Sequence, residues 1–156
     1  VRDEKPESTE WYFEDYLPGQ VRLVEETIEV LEDEVVAFGR KFDPQPFHVD
    51  ETAAVAGPFG GLIASGWHTG SMLMRLFAKY YLSPVSSLGS PGIDELRWPV
   101  PVRPGDQLRL RTTVEKAHRS RSKPDRGVVH TTAELLNQDE LVVIRMRVIN
   151  LILARD

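Results

Sequence analysis

The sequence predicts an α+β fold in which one long central helix is wrapped by a curved antiparallel β-sheet. Three observations carry that expectation. The longest helical pattern, residues 66–82, is apolar nearly all round: Trp67, Met72, Leu73, Met74, Leu76, Phe77, Tyr80, Tyr81 and Leu82 leave no clear solvent face. The C-terminal half instead alternates with a period of two. Leu108, Leu110, Thr112 and Val114 oppose Arg109, Arg111 and Thr113, and Val142, Ile144, Met146 and Val148 oppose Arg145 and Arg147. Finally, helical and strand-like segments are segregated along the chain, which favours helix packed on one face of a sheet.

Each element follows from local chemistry. Residues 1–10 are polar and are expected to be a flexible lead; residues 11–156 are expected to form a single domain. Residues 20–30 are rich in β-branched side chains and read as a strand, although Val21, Leu23, Thr27 and Val30 do not alternate perfectly. Residues 32–41 read as a short helix. Its first turn carries Glu32, Asp33 and Glu34 and its last carries Arg40 and Lys41, matching the helix dipole. Asp50 is placed to cap a further short helix that Gly57-Pro58 ends. Ser65 is placed to cap the long helix, and Pro84 marks its end. Residues 90–98 lead into the turn Pro101-Val102-Arg103-Pro104-Gly105-Asp106. Strands are then expected at 107–115, 128–136 and 141–153, with a basic loop at 118–127 and a hairpin connection at 137–140.

Composition bounds the function. Apolar residues make up 41% and charged residues 28% of the 156 positions, as in an ordinary globular domain. The net charge of −5 argues against nucleic acid as the main partner. There is no cysteine, so thiolate nucleophiles, disulfides and cysteine-ligated zinc are excluded, and a reducing cytoplasm is the expected setting. No window has the length and apolarity of a membrane span.

The stretch richest in chemistry is Phe42-Asp43-Pro44-Gln45-Pro46-Phe47-His48-Val49-Asp50. Asp43 and His48 supply a carboxylate and an imidazole five residues apart, the pair that water activation needs. Each proline biases the residue before it away from the helical region, so the loop is expected to be stiff and mostly extended. Fully extended, it would hold the two residues roughly 16 Å apart, so catalysis requires it to curl. By residues alone Asp43 could equally cap a turn. His68 reads as a core histidine, His118 and His130 as surface or strand residues, and Met72 and Met74 as core or pocket lining. Arg119, Arg121, Lys123 and Arg126 read as a solvated loop, with binding of coenzyme A phosphates as the alternative.

Four segments together resemble the MaoC-like dehydratases, a hotdog-fold family that includes (R)-specific enoyl-CoA hydratases. They are Phe42–Glu51, Gly60-Gly61-Leu62-Ile63-Ala64-Ser65-Gly66, the Pro101–Asp106 turn and the Ser120–Gly127 loop. The resemblance implies reversible hydration of a 2-enoyl-CoA thioester without a metal or a separate cofactor. It implies that Asp43 and His48 activate water, that the Gly66 backbone N–H binds the thioester oxygen, with close packing as the alternative reading of that glycine, and that the protein is a homodimer or higher homo-oligomer. Two departures matter. Ser65 stands where the family often has histidine, and Met74 stands where characterised hydratases have a serine that supports the aspartate. Ser65 and Ser71 are the candidates to take over that support, with helix capping the first role of Ser65. A thioesterase and a non-catalytic acyl-CoA binding module are the competing functions.

Overall fold

The computed structural model describes residues 10–155; the first nine residues of the expected flexible lead lie outside them. Strand β1 (Val21–Glu29) is followed by helices α1 (Glu32–Phe42), α2 (Pro46–Val49), α3 (Glu51–Ala56) and α4 (Gly66–Tyr80). Strands β2 (Gly92–Arg97), β3 (Gln107–Arg119), β4 (Arg126–Leu136) and β5 (Val142–Leu153) complete the chain. All five strands form one antiparallel sheet in the order β1-β3-β4-β5-β2. Helix α4 packs on β3, β4 and β5.

The two-residue period sets the core. Leu108, Leu110, Thr112 and Val114 of β3 face inward, as do Val129, Thr131 and Ala133 of β4. They meet Leu73, Leu76 and Phe77 of α4, none more than 1% exposed. Burial of each such side chain contributes about 1.5–3 kcal/mol. Tyr81, just past the helix, donates or accepts a hydroxyl bond with Thr131 and receives one at its carbonyl from the Tyr16 hydroxyl, 2.7 Å away. The aromatic end of α4 is thereby tied to the sheet and to the N-terminal segment. The Pro101–Asp106 turn is closed by the Arg103 N–H donating to Asp106 Oδ2 at 2.9 Å. Gly105 there has φ +92°, a conformation a side chain would strain.

Several expectations change. Strand β2 occupies part of the segment read only as a lead into that turn. It is a short edge strand with no buried residue and a register shift between Ile93 and Glu95, so no alternation marks it. The imperfect alternation of β1 has a cause: its register slips between Leu23 and Thr27, and Arg22, Val24 and Ile28 are the buried residues. The basic loop is shorter than 118–127, because His118 and Arg119 end β3 and Arg126 and Gly127 begin β4. Helix α4 is not buried all round. Trp67, Ser71, Met74, Arg75, Ala78 and Lys79 form an exposed stripe along the side away from the sheet, with Trp67 62% and Met74 42% exposed. Among the described residues no helix is long and apolar enough to cross a membrane.

The outer face of the sheet is charged. Glu134 is bracketed by Arg111 and Arg145, whose Nε atoms donate at 2.8 and 2.7 Å. Burial raises the Glu134 carboxyl, but the two guanidiniums overcome that and hold it below its ordinary value. These groups line a concavity of about 570 Å³ that contains none of the expected site residues. Its arginines and glutamates largely pair with one another.

Helix α1 approaches α2 through Gly39. A Cβ there would lie 2.9 Å from Val49 Cγ1, 3.0 Å from His48 Cβ and 3.1 Å from the His48 carbonyl oxygen. Alanine is intrinsically the better helix former by about 1 kcal/mol. Even so, Gly39→Ala is expected to destabilise the fold by about 1–3 kcal/mol, because overpacking outweighs propensity here. Thermal denaturation checks this, and an unchanged or raised midpoint would show that α2 yields freely.

Candidate active site

The two prolines do not keep the Asp43–His48 stretch extended. Asp43 caps the C-terminus of α1, its N–H donating to the Gly39 carbonyl at 2.9 Å. Gln45 is extended, as a residue before proline should be, but Pro46 then starts the single helical turn α2. Proline suits that first position, since its φ is already helical and its missing N–H is not needed. The turn swings His48 back toward Asp43, and Nε2 lies 3.2 Å from Asp43 Oδ2.

His48 is buried, at 4% exposure, and its orientation is fixed from behind. Its Nδ1 lies 2.7 Å from the Ile63 carbonyl oxygen. A carbonyl only accepts, so Nδ1 carries the hydrogen and Nε2 is the atom presented to Asp43. In the neutral ring Nε2 is then a lone pair facing a carboxylate. The 3.2 Å separation leaves no room for a water on the line between them, so a water engaging both atoms would sit beside that line and donate to each.

Residues 62–65 form the third wall. The Ile63 N–H donates to the Phe47 carbonyl at 3.1 Å, and the Ala64 N–H to the Val102 carbonyl at 2.8 Å. This extended run delivers Ser65 to the head of α4. The Ser65 hydroxyl donates to Asp43 Oδ2 at 2.8 Å and accepts from the Trp67 N–H at 3.3 Å. Ser65 is thus both helix cap and partner of the aspartate. Its cap takes the Trp67 amide and leaves the Gly66 N–H, at the first helical position, without an intrahelical acceptor. The Ser65 bond places the Asp43 carboxylate beside the positive end of the α4 dipole.

Gln45 completes the carboxylate's shell, its side-chain amide donating to Asp43 Oδ1 at 2.8 Å. That bond is the leading reason why the Asp43 carboxyl sits below the usual carboxylate range. The Ser65 hydroxyl and the His48 charge act the same way, and burial opposes them.

Asp43, His48 and Ser65 therefore converge, and Gly66 follows Ser65 at the head of α4. Ser71 does not join them: it is exposed, and its hydroxyl donates back to the Trp67 carbonyl at 2.8 Å. Met74 lies farther along the same exposed stripe, whereas Met72 is in the core. His68 is buried and stacked on Phe38 at 4.9 Å; burial pushes its imidazole down against the opposing pull of Glu34. His118 and His130 stack at 6.0 Å on neighbouring strands. At the strand ends that flank the basic loop, Arg119 donates to the Pro124 carbonyl and to Glu14, and Arg126 grips Asp125 with two bonds. Among the described residues no three His, Asp or Glu side chains form a group that could hold a metal ion.

Sequence reasoning missed two contacts. Gln45 stood inside the motif without a role, though an amide two residues from a carboxylate in a proline-stiffened turn is a usable signal. Trp98 donates its indole N–H to the Gly66 carbonyl at 2.9 Å, across 32 residues, and nothing local announces that.

The chain was compared with known proteins. A MaoC-like dehydratase from Rhodospirillum rubrum, known from its crystal structure, shares 38% identity over 94% of this chain and 99% of its own, with a TM-score of 0.87. The architecture is the hotdog fold of such dehydratases. The uncharacterised protein YdeM of Bacillus subtilis is 28% identical over 83% of this chain and 90% of its own length. The 3-hydroxyacyl-thioester dehydratase Z of Mycobacterium tuberculosis is 33% identical over 60% of this chain and 62% of its own length. The pattern of the MaoC-like domain matches residues 14–136, which hold β1, all four helices and the strands through β4, and the chain accordingly belongs to the MaoC-like domain family.

Proposed function

We propose that this protein catalyses the reversible addition of water to a 2-enoyl-CoA thioester, giving the 3-hydroxyacyl-CoA, with the R configuration that the family resemblance implies. The observation that carries the reading is one oxygen atom. Asp43 Oδ2 faces both the buried His48 Nε2 and the buried Ser65 hydroxyl, beside the N-terminus of α4. Family membership and the similarity to a 3-hydroxyacyl-thioester dehydratase support the substrate class.

The geometry supports a specific division of labour. A water held beside the Asp43 Oδ2–His48 Nε2 contact, in hydrogen-bond reach of both, gives a proton to Asp43 as its oxygen bonds to the β carbon. The double-bond electrons shift toward the thioester, and negative charge grows on its oxygen. The Gly66 N–H, at the positive end of α4, meets that charge and lowers the barrier. The Asp43–His48 pair then delivers a proton to the α carbon, so water is consumed and the pair is regenerated. Dehydration runs the same steps backward. A carboxylate held below its usual range is a weak base, so the reading places the rate in positioning and in the oxyanion contact rather than in basicity.

A panel of 2-enoyl-CoA thioesters of several chain lengths tests the activity by loss of the conjugated-enoyl absorbance, with thiol release followed in parallel. Hydration gives absorbance loss without thiol, whereas thiol release alone would make the protein a thioesterase, and acyl-CoA binding without turnover a binding module. Asp43→Asn and His48→Ala are each expected to lower kcat by about a hundredfold or more with the fold intact. Full activity in either variant refutes the assignment.

The pH dependence has a definite sign. The base must be ionised, so activity persists above the Asp43 pKa and falls as pH drops through it. Gln45→Ala removes the leading cause of the depression, so the Asp43 carboxyl should move back up toward its ordinary value. The acid limb of kcat/KM is then expected at higher pH than in the wild type; a limb that stays put assigns Gln45 no electrostatic role.

The homodimer implied by the resemblance belongs to the same proposal. Trp67 and Met74 on α4, and Ile93 on edge strand β2, are large apolar side chains left at least 42% exposed. Sedimentation equilibrium should return a mass of two chains or more, and a single-chain mass at micromolar concentration would remove this part of the reading.

A further inference from the structure

The glycine at position 66 is closely packed by another side chain. A glycine at a helix N-terminus is ordinarily explained by the space it leaves for a ligand. Here the space is already filled. A Cβ on Gly66 would lie 2.6 Å from Cε2, 2.8 Å from Nε1 and 2.9 Å from Cζ2 of Trp98. The indole thus rests directly on the Gly66 backbone while its N–H donates to the Gly66 carbonyl at 2.9 Å. Trp67, the next residue of the helix, meets the same indole edge-on, with ring centroids 5.6 Å apart and planes at 77°. Two successive residues of the first turn are therefore held by one side chain that arrives from beyond β2.

The first turn needs such a clamp. Gly66 and Gly70 lie one turn apart, and glycine is the ordinary residue that loses most conformational freedom in a helix, at about 1 kcal/mol each relative to alanine. The Ser65 cap restrains the turn through the Trp67 amide and does not bond the Gly66 N–H. An oxyanion donor works by being fixed before the charge appears, so mobility at Gly66 would cost rate directly. Position 66 meets two conflicting demands, close approach and rigidity. Glycine meets the first, and the indole supplies the second.

We infer that Trp98 is a positioning residue: it packs on the Gly66 Cα and bonds the Gly66 carbonyl, restraining the backbone rotation at Gly66 and so the orientation of its N–H at the head of α4. The inference rests on the proposed role of Gly66 in holding the thioester oxygen. Trp98 does not enter the chemistry itself. It acts through the backbone it presses on, and its 41% exposure makes it replaceable without emptying the core.

Two measurements test this, one of which needs no activity. Gly66→Ala should lower the thermal midpoint while Trp98 is present, and should leave it unchanged or raise it in a Trp98→Ala background, where the Cβ has room and alanine is the better helix former. Equal cost in both backgrounds overturns the clamp. In the hydration assay, Trp98→Phe keeps an aromatic ring and loses the indole N–H. Its kcat should fall about tenfold or more while KM stays within about twofold, since a displaced donor weakens the transition state rather than substrate binding. An unchanged kcat, or a rise in KM alone, overturns the positioning role. If the wild type hydrates no enoyl-CoA, the proposed function fails, and the thermal cycle still decides whether Trp98 clamps Gly66.

Discussion

Everything at the site depends on how one carboxylate is held. Asp43 ends α1 and is grasped by Ser65, which begins α4; Gln45 and His48, from the turn between, take the remaining positions. The electrostatics of the two helices differ there. A carboxylate is unfavourable at the negative C-terminal end of α1 and favourable at the positive N-terminal end of α4. Hydrogen bonds from Gln45 and Ser65 tip the balance toward the ionised form. The joint therefore fixes the angle between two helices and the charge state of the group that would take a proton. Stability and reactivity meet in the same few bonds.

Support for that joint comes from packing further out. Gly39 lets α1 touch the backbone of His48, the Ile63 carbonyl orients the imidazole, and the Val102 carbonyl anchors the strand-like run that brings Ser65 into place. Behind them, Leu73, Leu76 and Phe77 seat α4 on the sheet. The resemblance implies a hydroxyl partner for the aspartate, with Ser65 and Ser71 as candidates; the structure gives that bond to Ser65, one residue before the helix, while Met74 is exposed. One side chain thus caps α4 and bonds Asp43 together.

The fold was legible wherever a pattern repeats over several residues. The alternation in β3 and β5 sets their inward faces, and Ser65 and Asp50 cap the helices that their positions imply. Legibility failed where one feature had two opposite local meanings. Pro46 argues for extension in the residue before it and for a helix start at itself, and the second effect decided where His48 went. Strand β2 has no period to read because neither of its faces is buried. The stripe on α4 was misread because apolar residues spread round a helix look the same whether protein or solvent faces the last quarter. For the candidate site, residue types and spacing singled out Asp43 and His48 and placed Ser65 as a helix cap, while the role of Gly66 came only from the family resemblance. The Trp98 contact depends on where a segment 32 residues away returns, which only the assembled sheet decides.

The strand order has a kinetic side. Hairpin partners are near in sequence: Arg119 faces Gly127 and Leu136 faces Val142. By contrast, β1 reaches the sheet by pairing Val21 with Thr113, positions 92 residues apart (113 minus 21). Loop-closure entropy grows with the logarithm of that separation, so adding β1 costs about 2 kcal/mol more than closing either hairpin. Asp43, His48 and Ser65 span only 22 residues. The groups that would do the chemistry are thus joined by short stretches of chain, while the strand that precedes them must wait for β3 to be made and paired. The two edges of the sheet are thus opposite in kind: β1 is the costliest strand to close yet is held by buried side chains, whereas β2, with none buried, is the strand that thermal motion should release first.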